Sequence, residues 1–482
     1  MRSFIPPELT TAFPEMFLVF VTLLLLLMGV ARNKEDYGII SNFSVFTLAA
    51  VALVICRFSQ ETMVGFNGMY ITDAFGSYMK FLVVVGSAAA ILMATGYAER
   101  QRIARYEYPV LVLFSTLGMM LMISANDLIS LYMAIELQSL PLYVMAAIQR
   151  DTLRSTEAGV KYFVLGALSS GLLLYGASLI YGYTGTTNFD LIAVAFSGQG
   201  EIAIGAVVGM VMLACGLAFK IGAVPFHMWT PDVYEGAPTS VTAFFSIAPK
   251  IAALALMVRV FKGPFAPLEA DWQQVIVVLS AASMLLGAVA AIAQTNIKRM
   301  LAYSSIGHMG YALIGLAAAN VAGVAAVMVY AGIYMAANIG VFAIVLMMKR
   351  KERMVESIHD LAGLAGKHPV LAMVMAALMF SLAGIPPLAG FFGKLFIFQA
   401  AIDAKLYKLA IIGVLSSVIA AFYYLRIIKI MYFDPAIDDG LDPAIDRRLN
   451  YAMSASFIVV ILFIVVPGPL LTYSEAAASV FR

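Results

Sequence analysis

Charge is what this sequence has least of. Asp, Glu, Lys and Arg make up 12% of its 482 residues, against about 25% in a soluble domain, and the mean hydropathy is +0.93. A chain so apolar has too little polar surface to meet water, so lipid is its solvent. Cysteine is almost as scarce. Cys56 and Cys215 stand far apart in apolar runs, which excludes a disulfide framework and a thiolate-held iron–sulfur cluster. The four histidines, His227, His308, His359 and His368, lack metal-ligand spacing, so no metal site is expected. No glycine-rich turn follows an expected strand, and a nucleotide fingerprint is missing with it. A net charge of +2 offers nothing to nucleic acid. Any redox chemistry in which the chain takes part must use cofactors carried by other chains.

What the sequence has in abundance is long apolar runs. A spanning helix needs about 20 mostly apolar residues, and fourteen such stretches are present. They centre near residues 23, 48, 87, 116, 138, 170, 212, 250, 283, 308, 335, 380–398, 420 and 461. The twelfth is long and interrupted. The first lacks a small-residue cleavage site and is followed by many more, so it reads as a span and not as a signal peptide. The expected fold class is an all-α polytopic membrane protein of about 14 transmembrane helices.

Charge placement supports that count. Connections after odd-numbered spans hold Arg32 and Lys34, Arg100, Arg102 and Arg105, Arg150 and Arg154, Lys298 and Arg299, Lys349 to Lys367, and Arg447 and Arg448. The even connections hold few basic residues, such as Arg57 with Lys80 and Arg259 with Lys262. By the positive-inside rule the odd connections are cytoplasmic and both termini lie outside.

Several ionisable residues sit within the spans, where each costs at least about 2.5–3.5 kcal/mol on insertion scales and faces protein or water. Glu136, Lys161, Lys220, Lys250, His308 and Lys394 all do so. Lys220 is followed by Gly222 and Pro225, and Lys394 is preceded by Pro386 and Pro387. These residues free backbone groups that lipid cannot satisfy, so the seventh and twelfth helices are expected to be broken where they are buried or line a wet cavity. Breaks five spans apart suggest two five-helix repeats, inverted because five is odd. The expected divisions are an N-terminal three-helix segment (1–107), a first repeat (108–262), a second (263–434), and a cytoplasmic loop with a final helix (435–482).

Burial and a neighbouring carboxylate act on a lysine in opposite senses, so such a site can gain and lose a proton as its neighbour changes charge. Glu136, Lys220, Lys250, His308 and Lys394, bridged by water, would make a proton relay. Lysine and histidine suit protons better than Na⁺, which their cationic forms repel. Each residue also has a plainer reading. Glu136 could pair with Lys161 or Lys220 only to fix packing, and Lys161 could snorkel to the surface. His308 could be satisfied by Ser304 or Tyr303, and His227 with Trp229 could be interfacial. The Pro and Gly breaks could be packing kinks. Lys250 and Lys394 resist such readings, because no acid lies within a helical turn of either.

The stretches 225–250 (PFHMWTPDVYEGAPTSVTAFFSIAPK), 293–311 (AQTNIKRMLAYSSIGHMGY), 382–398 (LAGIPPLAGFFGKLFIF) and 135–143 (IELQSLPLY) resemble the antiporter-like membrane subunits of respiratory complex I. Among these the pattern is most similar to the subunit N group, the counterpart of mitochondrial NADH dehydrogenase subunit 2. The resemblance runs over nearly the whole chain. It implies a proton-translocating subunit of an NADH:quinone oxidoreductase in the bacterial inner membrane, driven by quinone reduction elsewhere. FMN, iron–sulfur clusters and quinone would belong to other subunits, and the partners would be neighbouring membrane subunits, antiporter-like ones included. The resemblance also implies roles. Glu136 and Lys220 match the coupled pair, Lys250 the central connector and Lys394 the terminal site, with Lys161, His227, Tyr303 and His308 as secondary members. Related subunits occur in multi-subunit cation/proton antiporters, which is the alternative reading; a scaffold that conducts nothing is another. The largest complex I relative carries a long C-terminal lateral helix, whereas this chain is expected to end about ten residues past its last span.

Overall fold

The computed structural model describes residues 7–31, 37–58, 62–198, 202–350, 353–436, 441–443 and 446–481. Arg32, Lys34, Lys351 and much of the acidic segment after residue 434 lie outside these. The chain opens with α1 (Pro7–Thr11), α2 (Phe13–Ala31) and α3 (Tyr37–Phe58). A hairpin of β1 (Met63–Gly65) and β2 (Tyr70–Thr72) then leads into α4 (Ala74–Arg100). A first set of spans follows: α5 (Glu107–Ile123), α6 (Leu128–Ala146), α7 (Leu153–Thr184), the short α8 (Phe189–Ser197), the broken pair α9 (Ile204–Ile221) and α10 (Trp229–Gly236), and α11 (Thr239–Lys262). The second set is α12 (Glu269–Ile292), α13 (Ile297–Ala317), α14 (Val321–Val345), the short α15 (Leu364–Lys367), the broken pair α16 (Pro369–Ala383) and α17 (Ala389–Asp403), and α18 (Tyr407–Phe433). The chain closes with α19 (Arg447–Leu462) and α20 (Gly468–Ala478).

Ten described helices are long and apolar enough to cross a membrane, and α5 and α16 are shorter apolar helices. The two five-helix sets pack by one scheme. The first helix lies on the second (α5 on α6, α12 on α13) and on the fifth (α11, α18), while the third (α7, α14) lies on the broken one. At the middle of the bundle α11 is wholly buried and α14 nearly so; α2, α7 and α18 lie at the perimeter. There Phe20, Leu27, Phe163 and Val418 face outward, as lipid contact permits and water would not.

Several helix N-termini are closed by side chains, which supply the partner that first-turn N–H groups otherwise lack. Asp73, Asp127, Asn188, Asn296, Asn320 and Asp446 cap α4, α6, α8, α13, α14 and α19 with side-chain oxygens, the residue types that best accept those bonds. Small residues let α7 and α9 approach closely: a Cβ on Gly209 would come 3.0 Å from the Gly176 carbonyl of α7, a contact of the membrane type.

Two expectations are corrected. Lys80 and Arg259 are not charges of the outer connections. Lys80 is buried in α4, with its Nζ 2.6 Å from Glu15 and donating to the Tyr70 hydroxyl at 2.9 Å. Arg259, buried at the end of α11, grips Asp73 with two 2.9 Å bonds and donates to the Ile123 carbonyl at 2.7 Å. Each acid comes from a distant part of the chain, so no local window reveals the pair. The last span also reaches further than expected. Ser456 of α19 donates to the Ala336 carbonyl of α14 (2.6 Å), and α20 continues along α14 with Leu470 against Gly332. Phe481 meets Phe75 edge-on at 4.9 Å. α19 ends at Leu462, and Pro467 stands at the start of the separate helix α20.

Candidate functional site

Both expected breaks are present, and each is made the same way. α9 stops at Ile221 because Gly222 takes φ +72°, and α16 stops at Ala383 because Gly384 takes φ +85°, the left-handed cap that glycine adopts without a Cβ penalty. Pro225 and Pro386–Pro387 follow, and the Val224–Pro225 and Pro386–Pro387 peptides are cis.

The buried charges gather at these breaks. Lys220, in the last turn of α9, donates to the Ser139 hydroxyl of α6 at 2.9 Å. Ser139 lies one turn along from Glu136, whose carboxylate accepts from the Ser170 hydroxyl of α7 at 2.5 Å. No direct ion pair joins Glu136 to Lys220 or Lys161 among the described residues, so pairing for packing alone is not their arrangement. Lys250, 1% exposed on α11, donates to the Ile221 carbonyl at 2.9 Å and lies 5.8 and 6.0 Å from the rings of Tyr234 and Trp229. Lys394, on α17, donates to the Ala383 carbonyl at 2.9 Å and to the Ser417 hydroxyl of α18 at 2.8 Å, with its ammonium 4.7 Å from the Tyr311 ring. Neither Lys250 nor Lys394 has an acid within ion-pair distance among the described residues.

His308 links the two regions. Its ring bonds to the hydroxyls of Tyr330 at 2.6 Å and Tyr424 at 2.9 Å. Ser304, an expected partner, reaches it through Tyr424. Tyr303, the other expected partner, makes no bond to it among the described residues; Tyr330 and Tyr424 hold the ring instead. Two cavities of about 10 Å³ lie between His308 and Lys394, each near the size of a single water. Toward Lys250, Tyr334 stands 5.2 Å from the His308 ring and donates to Ser305 at 2.8 Å. Sequence reading missed Ser139, Ser170, Ser417, Tyr330, Tyr334 and Tyr424. Ser139 alone left a local signal, three residues from Glu136 on one helix face.

Lys161 and His227 stand apart from the row. Lys161 is 43% exposed and pairs with Glu157 and Asp232, each at 2.8 Å. Asp232, on α10, also takes a 2.8 Å bond from Arg299, which reaches Glu235 at 3.0 Å. His227 lies half-buried in the loop of the first break. A cavity of about 200 Å³ opens over the Lys161–Asp232–Arg299 cluster. A second, of about 590 Å³, is lined by Glu235, Lys298, Glu356 and Asp360. Lys298 bonds Glu356 at 2.5 Å and the Ala237 carbonyl at 2.9 Å, just before α11 begins.

Burial works to raise the pKa of Asp232, but hydrogen bonds from Lys161 and Arg299, with their charges, outweigh it and hold the carboxyl below its ordinary 3.8. A lowered pKa stabilises the fold above the unfolded value and stops doing so as pH falls through the folded one. Asp232→Asn is therefore expected to lower the melting temperature of the detergent-solubilised chain at neutral pH. The difference should shrink as pH falls below about 4; a difference undiminished well below that would mean the carboxylate is not what holds the cluster.

Comparison with known proteins supplies the family. The model of the "NADH:quinone oxidoreductase/Mrp antiporter, TM" family matches residues 125–420, which span both breaks and every residue of the row. The chain is 52% identical over 477 residues to NADH-quinone oxidoreductase subunit N of Paramagnetospirillum magneticum, covering 98% of each. To the subunit of the same name from Rhodospirillum rubrum it is 54% identical over 469 residues, covering 97% of this chain and 96% of that one. Among solved structures it superposes on a chain of respiratory complex I from Thermus thermophilus with a TM-score of 0.81 at 29% identity, over 95% of this chain and 98% of that one. A chain of the Mrp complex from Dietzia sp. shares the fold, with a TM-score of 0.80 at 23% identity over 98% and 96%. With its apolar spans, two helix breaks and near-complete overlap with these relatives, the chain belongs to the NADH:quinone oxidoreductase/Mrp antiporter membrane family, and within it to the subunit N group.

Proposed function

We propose that this chain is a proton-translocating membrane subunit of a bacterial NADH:quinone oxidoreductase, and that its own chemistry is proton transfer along Glu136, Lys220, Lys250, His308 and Lys394. The observation that carries the reading is the state of Lys250 and Lys394: two buried ammonium groups with no acid beside them among the described residues, each held by a carbonyl at a helix break. A lysine kept only for packing would have an acid to pair with, since an unpaired buried charge is costly. Cation-dependent chemistry would want clustered carboxylates, and Glu136 is the only acid in the row.

Hydrogen bonds carry the two ends of this route, Lys220 to Ser139 and His308 to Tyr330 and Tyr424, and water is required between them. Glu136 and Lys220 are linked by way of Ser139, so the approach or withdrawal of charge at Glu136 biases the proton on Lys220. Lys220 and Lys250 flank one break. From Lys250 the path runs by Tyr234, Ser305 and Tyr334 to His308, and thence across the single-water cavities to Lys394. Lys161, His227 and the carboxylates of the larger cavity serve uptake from the cytoplasmic side, the side that the basic connections face; both termini are then outside. The boundaries at 107, 262 and 434 divide the chain into its three-helix segment, two inverted repeats and final span. FMN, iron–sulfur clusters and quinone belong to partner subunits, and neighbouring membrane subunits cover parts of the perimeter.

The test is co-purification from native membranes in mild detergent, with flavin, iron–sulfur signal and NADH:quinone reductase activity assayed on the product. The expected result is redox activity in stoichiometric amount, with Lys220→Met depressing proton uptake per NADH in reconstituted vesicles. Recovery with hydrophobic subunits alone and no redox centres would overturn the assembly assigned here.

A further inference from the structure

Two of the three lysines at the breaks, Lys250 and Lys394, are not at equivalent places in the two repeats, yet they occupy equivalent sites. In the first repeat the ammonium at the broken end comes from the fifth helix, as Lys250 of α11. In the second it comes from the far half of the broken helix itself, as Lys394 of α17. What recurs is the acceptor. Each ammonium lies 2.9 Å from the carbonyl of the last helical residue, Ile221 or Ala383. Each also lies against the left-handed glycine that follows: a Cβ built on Gly222 or Gly384 would stand 3.2 Å from the lysine Nζ. The carbonyl end of a helix carries the negative pole of its dipole and several unsatisfied acceptors. In lipid no water satisfies them.

We infer that the broken carbonyl ends at Ile221–Gly222 and Ala383–Gly384 are the ammonium sites of the chain, and that a lysine can serve each from either of two helices. This rests on the relay reading above. The side chains left behind agree with it. Ser417, on the fifth helix of the second repeat, donates toward the Ala383 carbonyl at 3.4 Å and accepts from Lys394, filling the place that Lys250 fills in the first. Tyr234 is the sixth residue of α10, as Lys394 is of α17. Its buried hydroxyl makes no hydrogen bond among the described residues, and its ring lies 5.8 Å from the Lys250 ammonium. The second repeat thus holds two positions, 394 and 417, that reach one acceptor; in the first, Lys250 reaches it and Tyr234, at the place matching Lys394, stands beside that lysine. Ile221, Gly222, Ala383, Gly384 and Ser417 are positioning residues in this scheme; they act by holding an ammonium that does the transfer.

The experiment moves the lysine. The assembled complex carrying Lys394→Ala is compared with the same complex carrying Lys394→Ala and Ser417→Lys together, reading protons taken up per NADH in vesicles and flavin content as the measure of assembly. The reciprocal exchange is Lys250→Ala with Tyr234→Lys. The expected result is loss of pumping in each single variant and return of most of it in at least one exchange. Loss in the single variants with no return in either exchange overturns the inference and leaves the relay standing. The inference also falls if both exchanges fail to assemble while the single alanine variants assemble, because an ammonium with a ready acceptor does not block folding. Normal pumping by Lys394→Ala and Lys250→Ala overturns the relay and this inference with it.

Discussion

Replacing Lys250 by methionine removes proton translocation while the membrane assembly stays in place. Methionine has a similar unbranched stem and fills irregular gaps, so the packing of α11 against the first break is retained and only the titratable group is lost. Among the described residues, Lys250 is the one ionisable side chain bonded to the Ile221 carbonyl, and its ammonium lies over Tyr234 and Trp229, so no neighbour takes over its proton. The expected fall in protons moved per NADH is on the order of 10²-fold or more, the scale of a lost proton-transfer group. Lys250→Arg separates charge from chemistry. Arginine keeps the positive charge but does not give up its proton in a protein, so pumping is expected to be lost there too. Full pumping by the arginine variant would mean that Lys250 acts through its charge alone, and the relay would have to pass it by. Flavin content and NADH oxidation with an artificial acceptor report whether each complex is assembled.

The second large effect is on stability, and it lies away from the row. Arg259→Ala leaves Asp73 buried without its counter-charge, and removal of one partner from such a pair costs about 3–5 kcal/mol. It also leaves the Ile123 carbonyl without its donor. Three segments lose their junction at once: the N-terminus of α4, the end of α5 and the end of α11. The double change Asp73→Leu with Arg259→Met removes both charges and is expected to recover part of the loss, because apolar side chains replace a buried pair at little cost, while the α4 cap and the donor to the Ile123 carbonyl stay lost. The readouts are the amount of chain in the membrane and the thermal midpoint in detergent. Equal stability of Arg259→Ala and the native chain would show that the pair contributes nothing to the fold. Pumping per assembled complex should be the same in the double variant as in the native chain, since neither residue touches the lysines of the row.

Particular residues show how much of this was legible beforehand. Lys220 with Gly222 and Pro225, and Lys394 with Pro386 and Pro387, announce the breaks because glycine and proline act on the backbone within a few residues of themselves. Lys250 announces itself by standing in an apolar run with no acid near it. By contrast, Ser139, Ser417, Tyr330 and Tyr424 are ordinary as sequence, and they become partners only when α6 meets α9, α17 meets α18, and α13 meets α14 and α18. Lys80 and Arg259 misled for the same reason: a basic residue near a span end reads as a charge of the connection until the acid that buries it, Glu15 or Asp73, is seen in space. The turn at Pro467 and Gly468 carried a sequence signal, but the packing of α20 along α14 did not.

By itself the sequence determined the solvent, the spans and the candidate protonatable groups, because all three depend on composition and on spacing along one helix. Tertiary structure decided which carbonyl, hydroxyl or ring each charge meets, because those contacts join residues dozens to hundreds of positions apart. It also decided that the two breaks hold their ammonium groups on lysines from different helices: an acceptor made of backbone carbonyls leaves no mark in the sequence beyond the glycine that exposes it.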